Sequence, residues 1–369
     1  MDRSVIGAEK HTISTPALLI DLEKMEYNIA KMADFFRGKK ANLRPHIKSH
    51  KTPIIAHKQI EAGAIGITCQ KLAEAEVMAE SGIKDILIAN EVVGTQKINR
   101  LVNLARYTKI KVAVDNSKNI VDISAPAQRK GVKIGVLIEV NIGLNRCGVL
   151  PGEPALKLAR EVESEKGLEF FGLMGYEGHT VFIKSYKERE GKVKQALNLL
   201  VATRELLEER RLECRVVSAG GTGTYDITGS FPGVTEVQAG SYVMMDTNYN
   251  GVEGIGGEFR QALSLLTSVI SRPTDDRAIL DAGMKAISVD MGIPEIAYPG
   301  SGKVGRISEE HIALVELEGI AKKELEVGGK IEIIPSHACT TINLHNYFYG
   351  IRDGIVELIW SIKARGKFE

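Results

Sequence analysis

Between residues 43 and 243 of this 369-residue chain, short strand-like runs alternate with amphipathic helical stretches. The strand candidates are 43–48, 66–69, 85–90, 111–115, 133–141, 170–176, 215–219 and 236–243. Stretches such as 71–81, 95–107, 154–163 and 186–211 carry apolar residues at helical spacing, and Gly63, Gly82, Gly131 and Gly167 punctuate the boundaries. Eight such repeats predict an α/β fold, a (β/α)8 TIM-type barrel. An open doubly wound sheet has the same periodicity and stays as the alternative. The 224–234 connection, TYDITGSFPGV, is too short and too rich in Gly and Pro for a full helix, so one outer helix is expected to be missing or reduced there.

The segment before the first barrel strand predicts a strand over 17–22. A helix follows, with Met25, Ile29, Met32 and Phe36 on one face. After residue 260 the texture changes to short β-like runs: SLLTSVIS, RAILDAG, HIALVELE and KIEIIPSHAC. The expected organisation is a barrel over 15–255 and a mainly β domain formed by 1–14 and 256–369, with 354–367 as a closing helix.

The formal net charge is only +1, and no basic run with interleaved aromatics occurs, which argues against nucleic acid as a partner. No 18-residue apolar run argues for a membrane span, and MDRSVIGAEKHTIS lacks the apolar core of a secretory signal. Four cysteines, Cys69, Cys147, Cys214 and Cys339, are too sparse for a disulfide scaffold, so a reducing cytoplasm is expected.

Four segments carry candidate chemistry. In LRPHIKSHK, residues 43–51, Arg44, His46, Lys48 and His50 alternate with Leu43, Pro45 and Ile47. On a strand they share one face, and buried cations need partners. That face therefore suits an anion or a reactive carbonyl. Lys48, at the C-terminal end of the first barrel strand, is placed to form a Schiff base; a solvated Lys in a basic turn would have the same spacing.

The second segment is SAGGTGTYD, residues 218–226, after the seventh strand. Barrels often hold a phosphate there, and Gly220, Gly221 and Gly223 allow backbone N–H groups to face one. QAGSY adds Gly240 and Ser241 as further donors. An ordinary glycine-rich turn is the alternative, since neither a P-loop nor G-x-G-x-x-G is present.

In EVNIGLNRCG, Arg146 lies beyond the fifth strand, where a guanidinium could hold a phenolate or carboxylate oxygen. Tyr176 and His179 in MGYEGHT lie at or just past the sixth. A surface Arg or a satisfied Tyr or His fits these spacings equally.

In PSHACTT, His337 and Cys339 stand at i and i+2, so a strand would put both on one side, as half of a zinc site. No C-x-x-C supplies further ligands, so any metal would keep open positions. A buried Cys beside a satisfied His is the other reading.

Taken together, RPHIKSHK, GGTGTY, QAGSYVMMD and PSHAC, in that order, resemble the D-threonine aldolase / D-serine dehydratase family, from about Thr15 to near the C-terminus. The resemblance implies an alanine-racemase-like barrel plus a β domain, pyridoxal 5′-phosphate as cofactor, a divalent metal, and a homodimer. It implies that Lys48 holds the cofactor covalently, that Arg146 meets its phenolic oxygen, and that Tyr176 lies near its pyridine nitrogen. Gly221, Thr222, Gly240 and Ser241 would cradle its phosphate, and His337 and Cys339 would hold the metal. Zn²⁺ suits the Cys, with Mn²⁺ or Mg²⁺ as alternatives.

The implied substrate is a small D-3-hydroxy amino acid. The leading expectation is retro-aldol cleavage to glycine and an aldehyde, as in D-threonine aldolase. The alternative is β-elimination to a keto acid and ammonia, as in D-serine or D-3-hydroxyaspartate dehydratase. His50 and His179 are candidate bases for the hydroxyl proton. A racemase, for which Tyr347 or Tyr349 could serve opposite Lys48, a non-catalytic pyridoxal-phosphate carrier, and a barrel enzyme without pyridoxal are the remaining readings.

Overall fold

The computed structural model describes residues 4–297 and 302–369. Among the described residues the strands are β1 Ala17–Asp21, β2 Asn42–Leu43, β3 Ile67–Cys69, β4 Asp85–Glu91, β5 Lys109–Val114, β6 Ile134–Glu139, β7 Leu168–Met174, β8 Val216–Ala219, β9 Glu236–Val237, β10 Leu263–Thr274, β11 Arg277–Leu280, β12 Glu295–Ile296, β13 Lys303–Ile307, β14 Ile312–Val315, β15 Lys330–Ile334, β16 Tyr347–Arg352 and β17 Ile355–Ser361. They divide between two compact units. One comprises Ala30–Lys48, Pro53–Gly240 and Gly366–Glu369, and the other the residues up to Ile29, Ser49–Thr52 and Ser241–Arg365.

In the first unit the strand order is β2-β9-β8-β7-β6-β5-β4-β3, with every pairing parallel. A parallel bridge between His46 and Thr68 joins the two ends, so the sheet closes into the expected (β/α)8 barrel. Strand β6, IGVLIE, is buried along its whole length, as a strand covered on both faces must be. Long amphipathic helices such as Thr95–Leu104, Glu153–Ser164 and Tyr186–Glu209 lie outside. Between β8 and β9 only one helical turn, Tyr225–Thr228, takes the place of a full helix, as the Gly- and Pro-rich sequence requires.

The barrel interior corrects the reading of residues 43–51. The sheet ladder continues past Leu43 only through His46, and a 3-10 turn, Ile47–Ser49, follows. The four-residue basic face therefore does not exist. Arg44 is a buried structural cation: its Nε donates to Glu236 at 2.9 Å and its Nη1 to Asp85 at 2.5 Å, while Lys111 donates to Asp85 at 2.9 Å. Burying these charges is tolerable because each meets an opposite one. Lys48, by contrast, sits in the turn just beyond the strand, where a barrel collects its chemistry.

The second unit is built on a nine-stranded sheet ordered β13-β14-β11-β10-β1-β16-β17, with β15 also on β10 and β12 on β15. Strand β1 pairs antiparallel with β10 and parallel with β16. Its Ala17 and Leu19 enter a core with Ile13, Leu266, Ile351 and Val356. Residues 15–29 and 241–255, expected with the barrel, thus fall in the β unit. The expected closing helix over 354–367 is also corrected. Strands β16 and β17 form a hairpin whose two turn residues, Asp353 and Gly354, have φ of 50° and 79°. Asp-Gly is a pair that favours this turn, and IVELIWS then continues as a strand. Among the described residues no helix is long and apolar enough to cross a membrane.

Candidate active site

Three groups converge at the C-terminal ends of the barrel strands. The Tyr176 ring, two residues past β7, lies 5.9 Å from Lys48 Nζ and 5.8 Å from Arg146 Cζ, measured to the ring centroid. At its hydroxyl edge is Gly221, where an added Cβ would stand 3.4 Å from the Tyr176 hydroxyl. An amine, a guanidinium, an aromatic ring and a glycine turn thus surround one locus, and this set fits an aromatic aldehyde that carries a phosphate and a phenolate. Arg146 rides on a loop closed by Val149, which returns its N–H to Glu139 at 2.9 Å, and stiffened by Asn141, whose Oδ1 accepts from Gly143 and Asn145 N–H at 3.1 Å each.

The glycine turn after β8 is a 3-10 turn, Thr222–Thr224. A side chain at Gly223 would put its Cβ 2.0 Å from the Val181 carbonyl, so only glycine admits this path. The N–H of Gly220 donates to Glu177 at 3.1 Å and that of Gly221 to Thr224 Oγ1 at 3.2 Å. Gly221, expected as a phosphate donor, therefore spends its N–H inside the turn. Glu177, which sequence reasoning passed over, is fully buried and also accepts from Thr224 and Thr228 at 2.8 and 2.6 Å. It fixes the turn as a rigid piece. Its place in the glycine-flanked stretch GYEGHT gave no signal of this role.

Of the candidate bases, His50 is buried, and its Nδ1 accepts the Thr52 N–H at 3.1 Å. His179 is exposed and packs on Gly143, where an added Cβ would meet the ring at 2.9 Å.

Beneath Arg146 lies a pair of acids that the sequence reading did not single out. Glu139 is buried, 3.9 Å from Arg146 Nη2. Burial first, and then the charge and hydrogen bond of Glu91, push its pKa up to about 8, against the pull of Arg146. The shift favours the protonated form of Glu139 and so weakens its pull on the Arg146 charge. Because the folded form holds this proton where the unfolded chain has lost it, stability falls as pH rises from about 4.5 towards 8. Glu139→Gln is expected to remove that fall. Its melting temperature relative to the parent should rise between pH 5 and pH 9, by the equivalent of a few kcal/mol at most. A difference that stays constant across that range would show that Glu139 is ionised throughout.

In the β unit, His337 and Cys339 are not on a strand, as expected, but in the turn after β15. His337 is the extended residue before the short helix Ala338–Ile342, and Cys339 is in its first turn. They still face each other: burial pulls the His337 imidazole down, but the hydrogen bond and charge of Cys339, followed by those of Asp290, push its pKa up to about 9. A soft thiolate and an imidazole suit Zn²⁺.

The segment 246–248 holds this turn. Asp246 accepts the N–H of Ala338 at 3.0 Å and of Tyr249 at 3.1 Å, and Asn248 donates to the Ser336 carbonyl at 2.5 Å. Ser241, the residue after Gly240, is grouped with the β unit, and its Oγ lies 3.7 Å from Cys339 Sγ.

The whole chain is similar to proteins of known activity. It is 36% identical to the 3-hydroxy-D-aspartate aldolase of Paracoccus denitrificans, over 98% of this chain and 94% of that one. It superposes on the D-threonine aldolase structure of Filomicrobium marinum with a TM-score of 0.96 and 39% identity, covering both chains completely. The model "Alanine racemase, N-terminal domain" matches residues 20–248, and "Putative serine dehydratase domain" matches 262–351.

The chain belongs to the D-threonine aldolase / D-serine dehydratase family. Its barrel and β unit are those of the alanine-racemase-like lyases. A more distant member, the D-threo-3-hydroxyaspartate dehydratase of Delftia, has been solved as a Cys-to-Ala variant in a metal-free form, at 27% identity, TM-score 0.87, with 96% of this chain and 98% of that chain covered. A second solved variant of the same enzyme replaces a His two positions before that Cys.

Proposed function

We propose that this protein is a lyase that uses pyridoxal phosphate and a divalent metal to cleave D-3-hydroxy amino acids into glycine and an aldehyde. The observation that carries the reading is the Lys48–Tyr176–Arg146 constellation, in a chain that matches aldolases along its full length.

Pyridoxal phosphate held at this site would supply an electron sink for the pair released at the substrate's Cα. A divalent ion held by His337 and Cys339 would add Lewis acidity at the β-hydroxyl oxygen. Lys48 anchors the cofactor and afterwards holds or returns the proton at Cα. Arg146 binds the phenolic oxygen, and Tyr176 supports the ring. The turn at Thr222, braced by Glu177, would hold the phosphate. His50 and His179 are the candidates to take the hydroxyl proton, whose loss lets the Cα–Cβ bond break. Zn²⁺ is the proposed ion, from the thiolate donor.

Dehydration is the second reading, favoured by Cys339. The His-x-Cys spacing is the one replaced in the Delftia dehydratase variants. In that case the proton leaves Cα, hydroxide leaves Cβ, and a keto acid and ammonia follow. A cytoplasmic homodimer completes the proposal; all four cysteines are free thiols, as a reducing compartment would keep them.

The test is a product assay with D-threonine, D-3-hydroxyaspartate and D-serine. Glycine in equal amounts with the aldehyde is the expected outcome. Pyruvate or oxaloacetate with ammonia as the main product would replace the aldolase reading with the dehydratase one, and no turnover of any of the three would overturn both.

A further inference from the structure

We infer that Asp290 is a positioning residue of the metal centre, which holds the His337 ring in the one tautomer that can ligate through Nε2. This rests on the proposal that His337 and Cys339 bind a metal. Asp290 Oδ2 lies 2.7 Å from His337 Nδ1, and its other oxygen accepts from Ser288 at 2.6 Å and Thr340 at 2.9 Å. Two hydroxyl donors are committed to Oδ1, and Oδ2 faces the ring as an acceptor, so the proton between the two groups is assigned to Nδ1. In the neutral ring the lone pair is then on Nε2.

Metal-binding imidazoles are commonly fixed in this way, and the outer carboxylate both aims the ring and raises its basicity as a ligand. The second ligand has an outer partner too. Ser241 places a hydroxyl 3.7 Å from Cys339 Sγ, where its O–H can donate to a thiolate. The carboxylate is not needed to hold its loop: Asp290 is 43% exposed, and Ser288 is separately tied to the fold by its N–H, which donates to Thr340's neighbour Thr341 at 3.1 Å.

The experiment measures Zn²⁺ affinity of the full-length protein, by competition with a chromophoric chelator, in the parent and in Asp290→Ala, Asp290→Asn, Ser288→Ala and His337→Ala. Asp290→Ala should weaken binding roughly 10–100-fold. Asp290→Asn, whose carbonyl can still accept from Nδ1, should fall between that variant and the parent. Ser288→Ala should change affinity less than about threefold, since it loosens the loop without touching His337. Parental affinity in Asp290→Ala, or an equal loss in Ser288→Ala, would overturn the inference. Parental affinity in His337→Ala would overturn the metal site itself, so the two failures are distinguishable. Unchanged melting temperatures establish that the variants fold.

Discussion

Lys48→Ala should yield a colourless, inactive protein. The parent, incubated with pyridoxal phosphate, should absorb as a yellow Schiff base and become irreversibly labelled on Lys48 by borohydride. The variant should show neither, and should lose at least a thousandfold of its turnover, about 4 kcal/mol of transition-state stabilisation. The reason lies in where the side chain sits. The 3-10 turn Ile47–Ser49 carries the amine off the strand to the mouth of the barrel, near the Tyr176 ring and the Arg146 charge. Lys48→Arg separates charge from chemistry. It keeps a cation in place but offers a group that stays protonated, so it should be as inactive as the Ala variant. A yellow band and borohydride label that survive in Lys48→Ala would move the anchor to another lysine and dissolve the constellation on which the functional proposal stands.

The barrel was legible because its physics is local. Each parallel strand is a short apolar run and each helix has an apolar stripe, so the repeat can be read without knowing what touches what. The 17–21 strand shows the limit of that logic. Its composition is that of a barrel strand, and only its pairing with β10 and β16, far away in sequence, assigns it to the β unit. The C-terminal hairpin is a different kind of miss. Asp353-Gly354 was a readable turn signal, overruled by the helical look of the residues around it.

At the site, the residues with rare chemistry were legible: a Lys among basic neighbours, an Arg on a glycine-rich loop, a His two places from a Cys. The residues that hold them were not. Glu177, Glu139, Asp246 and Asp290 are four of 47 acidic residues, and nothing in their spacing separates them from surface charge. Their roles exist only through partners brought close by folding: three donors on Glu177, a second acid against Glu139, a backbone N–H on Asp246, an imidazole on Asp290. Arg44 is the reverse case. It looked like part of a binding face, and its salt bridges to Glu236 and Asp85 make it a piece of the barrel's interior.

Cys339→Ala should remove the bound metal and most of the lyase activity while leaving the cofactor spectrum of the barrel intact. The thiolate is the softest donor in the proposed centre, and the pair provides only two protein ligands, so losing either leaves an imidazole or a thiolate alone. Metal content measured on the purified protein should fall from about one ion per chain to near none, and activity by roughly a hundredfold or more. Cys339→Asp makes the argument sharper. A carboxylate at the same position is a hard oxygen donor, so this variant should be poorly restored by Zn²⁺ and better restored by Mn²⁺ or Mg²⁺. The first turn of the Ala338–Ile342 helix, held from below by Asp246 on the Ala338 N–H, keeps the position fixed through the change. Full metal content and full turnover in Cys339→Ala would mean that the His337–Cys339 pair is structural, with the thiol merely packed against Ser241 and the imidazole satisfied by Asp290. The cleavage would then have to proceed on the barrel's own groups, with Arg146 and a histidine supplying what the ion was assigned to do.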